Sequence, residues 1–201
     1  MRNVWRQRLP YYAYGGISQL IDTVKGSTTR EQRREMDLIS EHEARLLFRL
    51  TNFFNPRHIL QAGAATGIES VAMMEVSRQS RLYLYDGQLE QKALAVRVLQ
   101  SQLDRVACSD DLNVAVDELL SAADDSAMAL INAPVAEDVL MRLLDAGVVV
   151  ILRDLNHNEA LSDLFDACCD HMPSGQTYTN NKIAILNPNP KLQREDFLLW
   201  L

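Results

Sequence analysis

Small residues between a predicted strand and a predicted helix form the first candidate site for chemistry in this 201-residue chain. His58–Ala62 is apolar enough to form a buried strand, and residues 61–67 (QAGAATG) lead from it into a helix. Gly63 and Gly67 permit a tight turn and a close backbone approach to a ligand, and a helix start offers free N–H groups to a polar ligand. Such residues also occur at turns simply to pack a helix on a strand, so both interpretations stay open.

An acidic residue follows the next predicted strand. Asp86 and Gly87 come directly after residues 82–85, about twenty residues beyond the turn, where nucleotide-binding α/β domains place a carboxylate for two ribose hydroxyl groups. Asp-Gly is also a favoured pair in solvated turns. The combined spacing of the two loops favours a nucleoside site.

Two later loops contribute the remaining polar candidates. Asn132 follows the predicted strand Ala127–Ile131, and Asp154, Asn156 and His157 follow the predicted strand 148–152. His157 could act as a general base on a substrate hydroxyl, although an exposed histidine is the more frequent explanation. Asp154 could simply cap the following helix. No phosphate-loop lysine or Ser/His/Asp order is apparent, so hydrolases and NTPases have little support.

The elements that position these loops alternate between strand and helix. This alternation predicts an α/β fold: a Rossmann-like, doubly wound, mostly parallel sheet of about seven strands with helices on both faces. Residues 177–179 and 183–186 predict a closing antiparallel hairpin. The apolar residues 197–201 are expected to pack on the body of the domain.

Residues 1–36 are predicted to form an N-terminal extension with one short amphipathic helix, and residues 37–201 the α/β domain. Ser40 and Glu43 match a capping box at the start of the first domain helix, which Asn55-Pro56 should end.

Bulk properties exclude several classes of protein. The net charge of −7 and the pI of about 5.1 repel phosphate backbones, which argues against nucleic-acid binding. No apolar run predicts a signal peptide or a membrane span. The cysteines, Cys108, Cys168 and Cys169, have neither disulfide nor zinc spacing, which favours a reducing cytoplasm.

Together these loops resemble those of class I S-adenosylmethionine (SAM) dependent methyltransferases, especially small O-methyltransferases. The resemblance extends over residues 43–60, 130–134, 151–155, the late hairpin and the closing residues 193–199. It implies that the first loop holds the methionine part of SAM and that Asp86 holds the ribose. Asp110 or Asp111 would lie near the adenine, with a helix cap as the alternative. The implied methionine-binding residues are Gln61, Gly63, Ala64, Ala65, Thr66 and Gly67.

Four positions depart from the family pattern. Gln61 stands where an acidic residue is usual, and Ala65 where a third glycine is usual. Asn132 replaces an aspartate, and Arg153 lies near the place of a second acid. In metal-dependent members those acids bind a divalent cation, which needs anionic oxygens. We therefore expect no catalytic metal.

Two functions remain. The first is a metal-independent SAM-dependent methyltransferase acting on an unidentified acceptor, with His157, Asp154 and Asn132 as catalytic candidates. The alternative is a catalytically degenerate methyltransferase fold that serves as a binding or interaction module. An NAD-binding dehydrogenase shares the first two loops but lacks an obvious catalytic pair here. Apolar residues of the N-terminal helix or of the 197–201 tail could form a homodimer contact or cover the chain's own core.

Overall fold

A single mixed sheet organises the chain. The structure is a computed structural model that describes residues 11–27, 29–31, 38–122 and 126–199. Its eight strands lie in the order β3-β2-β1-β4-β5-β7-β6-β8. They are β1 (His58–Ala62), β2 (Arg81–Tyr85), β3 (Val106–Ser109), β4 (Ala127–Ile131), β5 (Val149–Arg153), β6 (Gln176–Thr179), β7 (Ile183–Asn187) and β8 (Glu195–Leu198). The pairs among β1 to β5 are parallel, and β7 runs antiparallel to both β5 and β6.

Helices precede β1 in the chain and lie between the successive strands from β1 to β6. They are α1 (Tyr11–Ser27), α2 (Glu41–Phe54), α3 (Ile68–Met74), α4 (Leu89–Val98), α5 (Leu112–Ala122), α6 (Glu137–Asp145) and α7 (Glu159–His171), and a 3₁₀ helix spans Gln100–Arg105. None of the described helices is long and apolar enough to cross a bilayer.

Two hydrophobic cores cover the two faces of the sheet. Helices α1 to α4 pack on one face, and α5, α6 and α7 pack on the other. The central strands β1 and β4 have four consecutive buried residues each, as expected for parallel strands covered on both sides. The predicted Rossmann-like architecture with a closing antiparallel hairpin is confirmed.

The end of the chain differs from the prediction. Residues Glu195–Leu198 form an eighth strand that pairs in parallel with β6, where about seven strands were predicted. The expectation that the apolar residues 197–201 pack on the body is wrong for Phe197 and Leu198, which are 39% and 54% exposed, and residues 200 and 201 lie outside the described residues. Phe197 stacks on Tyr178 of β6, with ring centroids 5.0 Å apart. Backbone pairing at an edge therefore takes the place of burial.

The N-terminal helix is longer than predicted and joins the domain core. Ile17, Ile21 and Val24 recur at helical spacing and are buried in the same cluster as residues of α2 and α3. These side chains therefore cover the chain's own core rather than a dimer surface.

The predicted start and end of helix α2 are confirmed. The Ser40 hydroxyl accepts from the Glu43 N–H, and the Glu43 carboxylate accepts from the Ser40 N–H. Asn55 ends the helix in the left-handed conformation, with φ 48°. Between β2 and β3 the helical segment is divided, because α4 ends near Leu99 and a 3₁₀ helix follows.

Candidate functional site

The predicted site loops meet at one edge of the sheet. Ala62 pairs with both Tyr85 and Ile131, and Ile131 pairs with Leu152. The residues that follow these strands are therefore neighbours, at the point where the chain winds outward in both directions from β1 and β4. Ligands of open α/β sheets bind at this kind of switch point.

The turn after β1 has the strained backbone that small residues permit. Gly63 and Gly67 have φ values of +88° and +78°, and Ala65 has φ +45°, which is uncommon for a residue with a side chain. A Cβ on Gly67 would lie 2.7 Å from the Cα of Ala95 in α4. Gly67 thus serves helix packing, which was the alternative to a ligand approach at this position.

The side chain of Gln61 holds the turn in place through hydrogen bonds. Its side-chain amide donates to the Gly63 carbonyl at 3.0 Å, and its carbonyl oxygen accepts the Ser70 hydroxyl at 2.6 Å. Asn132 also donates to the Gly63 carbonyl, at 3.0 Å. Gln61 is fully buried, so a neutral hydrogen-bonded group lies where the resemblance implies a carboxylate.

Asp86 reaches the turn directly. One carboxylate oxygen accepts the Ala64 N–H at 2.6 Å and the other accepts the Gln88 N–H at 2.6 Å. The acid and the turn therefore lie side by side at the sheet edge, in direct hydrogen-bond contact. Binding of a nucleoside to them stays a prediction. Asp86 is only 5% exposed.

Asp110 lies after β3 at the same edge and forms an ion pair with Lys92 of α4. The Asp110 side chain is exposed. Asp111 accepts the Asn113 N–H at the start of α5, which is the helix cap considered as the alternative for this pair.

A buried ion pair that the sequence did not predict joins α3 to the end of β5. Arg153 donates to the Glu69 carboxylate at 3.1 Å, and the two side chains are 4% and 0% exposed. Glu69 also accepts the Thr66 hydroxyl at 3.4 Å. The available signal was one charged residue within each of two apolar segments: Glu69 ahead of Val71–Met74, and Arg153 as the last residue of the buried strand β5.

Asp154 and His157 form a hydrogen-bonded pair after β5. The Nδ1 atom of His157 lies 2.7 Å from a carboxylate oxygen of Asp154, and Asp154 has φ +64°. Asp154 is not a helix cap, because Asn158 caps α7 by accepting the Leu161 N–H. A strained acid that orients an exposed imidazole is an arrangement suited to a general base.

A cavity of about 410 Å³ opens beside this pair. It is lined by Arg153 at the end of β5, by Asp154 and His157 in the loop that follows, by Glu43 of α2 and by Lys182 of the β6–β7 turn. Burial acts to raise the pKa of Glu43, but hydrogen bonds from Ser40 and the positive charges of Arg153 and Lys182 outweigh it. The pKa of Glu43 therefore lies below its usual value.

Comparison with known proteins is informative only at the level of structure. No protein-family model and no curated protein matches the chain. Among solved structures, a methyltransferase from Geobacter sulfurreducens has a TM-score of 0.61 at 18% identity, over 85% of this chain and 95% of that one. An S-adenosylhomocysteine-bound methyltransferase from Podospora anserina has a TM-score of 0.63 at 10% identity, over 89% and 88% of the two chains.

A third similar structure is the O-methyltransferase of tomaymycin synthesis from Streptomyces achromogenes, solved in complex with SAM. Its TM-score is 0.58 at 15% identity, over 86% of this chain and 88% of that one. The chain has the Rossmann-like fold of these SAM-dependent methyltransferases. At such low identity the comparison supports the fold and leaves the activity to the residues of the site.

Proposed function

We propose that this chain is a metal-independent SAM-dependent methyltransferase. The observation that carries the proposal is the contact between the Asp86 carboxylate and the turn over residues 63–67, on the same sheet edge as the Asp154–His157 pair. SAM supplies an electrophilic methyl group when bound. The residues of this chain would bind it, orient the acceptor and remove the acceptor's proton.

The ribose end of such a site fits Asp86. An ionised carboxylate has about four lone-pair positions, and Asp86 uses two of them for the N–H groups of Ala64 and Gln88. The remaining two can accept the ribose hydroxyl groups after a small outward movement of the covering residues. Asp86 would then hold the turn and the nucleoside together.

The residues expected to bind the methionine part of SAM fit that ligand less well. Gln61 brings no negative charge, so a ligand ammonium group loses an ionic partner there. Asn132 offers compensation, because its Oδ1 atom is buried and has no hydrogen-bond partner among the described residues. Its amide nitrogen is fixed on the Gly63 carbonyl, so Oδ1 is held in one place to accept an N–H of a ligand.

Proton removal is assigned to His157. Asp154 fixes the imidazole through Nδ1, which leaves Nε2 for the hydroxyl of an acceptor. Asn156 approaches Nε2 to 3.1 Å and is exposed, so an acceptor can displace it. Rate would come chiefly from holding methyl donor and acceptor in line, with the base adding a smaller factor.

Binding of SAM tests the cofactor assignment. We expect isothermal titration to give a micromolar to sub-millimolar Kd, and Asp86→Asn to weaken it at least tenfold because a neutral amide replaces a charge-assisted acceptor. Asp145→Asn, which alters the His171 pair at the far end of α6, is the control and should leave the Kd unchanged.

Failure of the folded protein to bind SAM at millimolar concentration would instead support the alternative, a degenerate fold that acts as a binding or interaction module. The observation favouring that alternative is the closed turn. Residues 61–70 are all buried, and each Asp86 oxygen already accepts a backbone N–H.

Replacement of the proposed base tests the catalytic assignment. His157→Gln should lower methyl transfer by about 10²–10⁴-fold and leave SAM affinity within twofold, because the imidazole acts on the acceptor. The measurement is release of S-adenosylhomocysteine with a panel of small phenols and carboxylic acids. His171→Gln is a matched control, since His171 has the same 2.7 Å contact with a carboxylate but lies away from the cavity. Equal losses in both variants would exclude a specific role for His157.

A further inference from the structure

The ends of β4 and β5 do not fit a divalent cation. Asn132 has its amide nitrogen turned to the Gly63 carbonyl and offers at most one neutral oxygen, and Arg153 is itself a cation. Asp154 is engaged by His157. In the part of the chain that the structure describes, no three acidic, histidine or cysteine residues come together as a metal site.

We propose that the Arg153 guanidinium is a resident cation that fills, at the ends of β4 and β5, the place a divalent metal takes in metal-dependent relatives, and that the adjoining cavity therefore accepts a substrate with an ionised oxygen. The proposal that the cavity accepts an ionised oxygen rests on the proposed methyl transfer. The proposal that Arg153 is a resident cation rests on the positions of the residues.

Position is the first argument. Ile131 and Leu152 are direct partners in the parallel pair β4–β5, so Asn132 and Arg153 are the residues that follow at the same level of the sheet edge. Asn132 stands at one of the two positions at which the resemblance implies acidic metal ligands, and Arg153 lies near the other. A positive charge supplied by the chain is thus present beside the implied position of the metal.

The second argument is how firmly that charge is held. A guanidinium that is nearly fully buried is stable only when it is paired, and Glu69 supplies the anion at 3.1 Å from the first turn of α3. The pair connects the turn over 63–67 to the cavity, because Glu69 follows the turn and Arg153 lines the cavity. Unlike a metal ion, this cation cannot be lost or chelated.

The third argument is the charge balance of the cavity wall. Glu43 and Asp154 also line the wall, and their hydrogen bonds to Ser40 and His157 do not remove their negative charges. Lys182 adds a second positive charge at the exposed rim, so the cations and carboxylates of the wall balance. A phenolate, enolate or carboxylate oxygen would therefore have to bind between Arg153 and Lys182, where both groups can donate hydrogen bonds to it. Hydrogen-bond donors of a guanidinium suit such an oxygen well.

A chromogenic phenol tests the site without any need for SAM. 4-Nitrophenol absorbs visible light only as the phenolate, and we expect its ionisation constant to rise roughly tenfold when it is bound beside Arg153. The double variant Glu69→Gln/Arg153→Gln, which removes both charges and keeps the shapes close, should abolish that change. Arg142→Gln is the matched control, because Arg142 pairs with Asp117 on the far side of the sheet and should leave the change intact.

Absence of the spectral change in the wild-type chain, or an equal change in the neutral double variant, would overturn the proposal for the acceptor. Because the assay contains no cofactor, its result is independent of whether SAM binds. Circular dichroism confirms that the double variant is folded. If it is not, the milder variant Lys182→Met should reduce the change severalfold, and an unreduced change would count against the proposal.

Manganese binding tests the resident cation directly. The wild-type chain should leave the electron paramagnetic resonance signal of free Mn²⁺ unchanged at sub-millimolar concentrations. Asn132→Asp/Arg153→Asp restores acidic oxygens beside Glu69 and Asp154, and we expect it to bind Mn²⁺ at least tenfold more tightly. Stoichiometric Mn²⁺ binding by the wild-type chain, or none by the folded variant, would show that the cation position is wrongly assigned.

Discussion

Arg153→Met is expected to lower the free energy of unfolding by about 3–5 kcal/mol, because it leaves the Glu69 carboxylate buried beside a thioether instead of a cation. Both partners of this ion pair are almost completely removed from water, so neither charge is screened by solvent. The measurement is urea denaturation followed by circular dichroism, with the midpoint compared at constant slope.

The matched comparison is the double variant Glu69→Met/Arg153→Met. Replacing a whole buried ion pair with apolar groups of similar size is often neutral or stabilising, since desolvation of two charges costs as much as their attraction returns. We expect the double variant to lie within about 1–2 kcal/mol of the wild type. A double variant as unstable as Arg153→Met alone would mean that the loss comes from packing rather than from a stranded charge.

If the double variant is as stable as expected, the presence of this pair at the sheet edge needs a reason other than stability. The resident cation offers one. Burial acts to raise the pKa of Glu43, and after the hydrogen bond from Ser40 the charge on Arg153 also helps to hold that pKa below its usual value.

Features that depend on near neighbours could be predicted from the sequence. The capping box of Ser40 and Glu43 and the end of α2 at Asn55 involve residues no more than four apart. The mostly parallel sheet with helices on both faces followed from the alternation of apolar strands and helices. The same logic placed Gln61, Asp86, Asn132 and the residues after Arg153 on one edge, because the ends of parallel strands must meet there.

Features that depend on packing at a distance could not be predicted. Glu69 and Arg153 are 84 residues apart, and no feature of either segment predicts its contact with the other. The contact between Asp86 and Ala64 depends on how closely β1 and β2 bring their loops together. The strand β8 depends on a free edge of β6, which is known only once the hairpin has been built. Residues 197–201 were therefore expected to pack on the body of the domain instead of pairing at its edge.

Gly67→Ala is expected to cost about 2–5 kcal/mol of stability, and its excess over Gly147→Ala measures how tightly the turn is packed. Both glycines have φ +78°, so an added methyl group strains the two backbones equally, by about 1–2 kcal/mol. They differ in surroundings: a Cβ on Gly67 would lie 2.7 Å from the Cα of Ala95, whereas one on Gly147 meets nothing within 4 Å. Overpacking against backbone adds about 1–3 kcal/mol at the first position only.

The comparison also bears on function. If the turn is held between α4 and the Asp86 carboxylate, Gly67→Ala must push Ala95 away and disturb the hydrogen bond from the Ala64 N–H. Denaturation midpoints of the two variants should then differ clearly, and hydrogen exchange of the Ala64 amide should accelerate only in Gly67→Ala. Equal midpoints would mean that α4 yields without cost. In that event the turn over residues 63–67 can open for a nucleoside at little cost in free energy, and the closed turn would no longer favour the degenerate alternative.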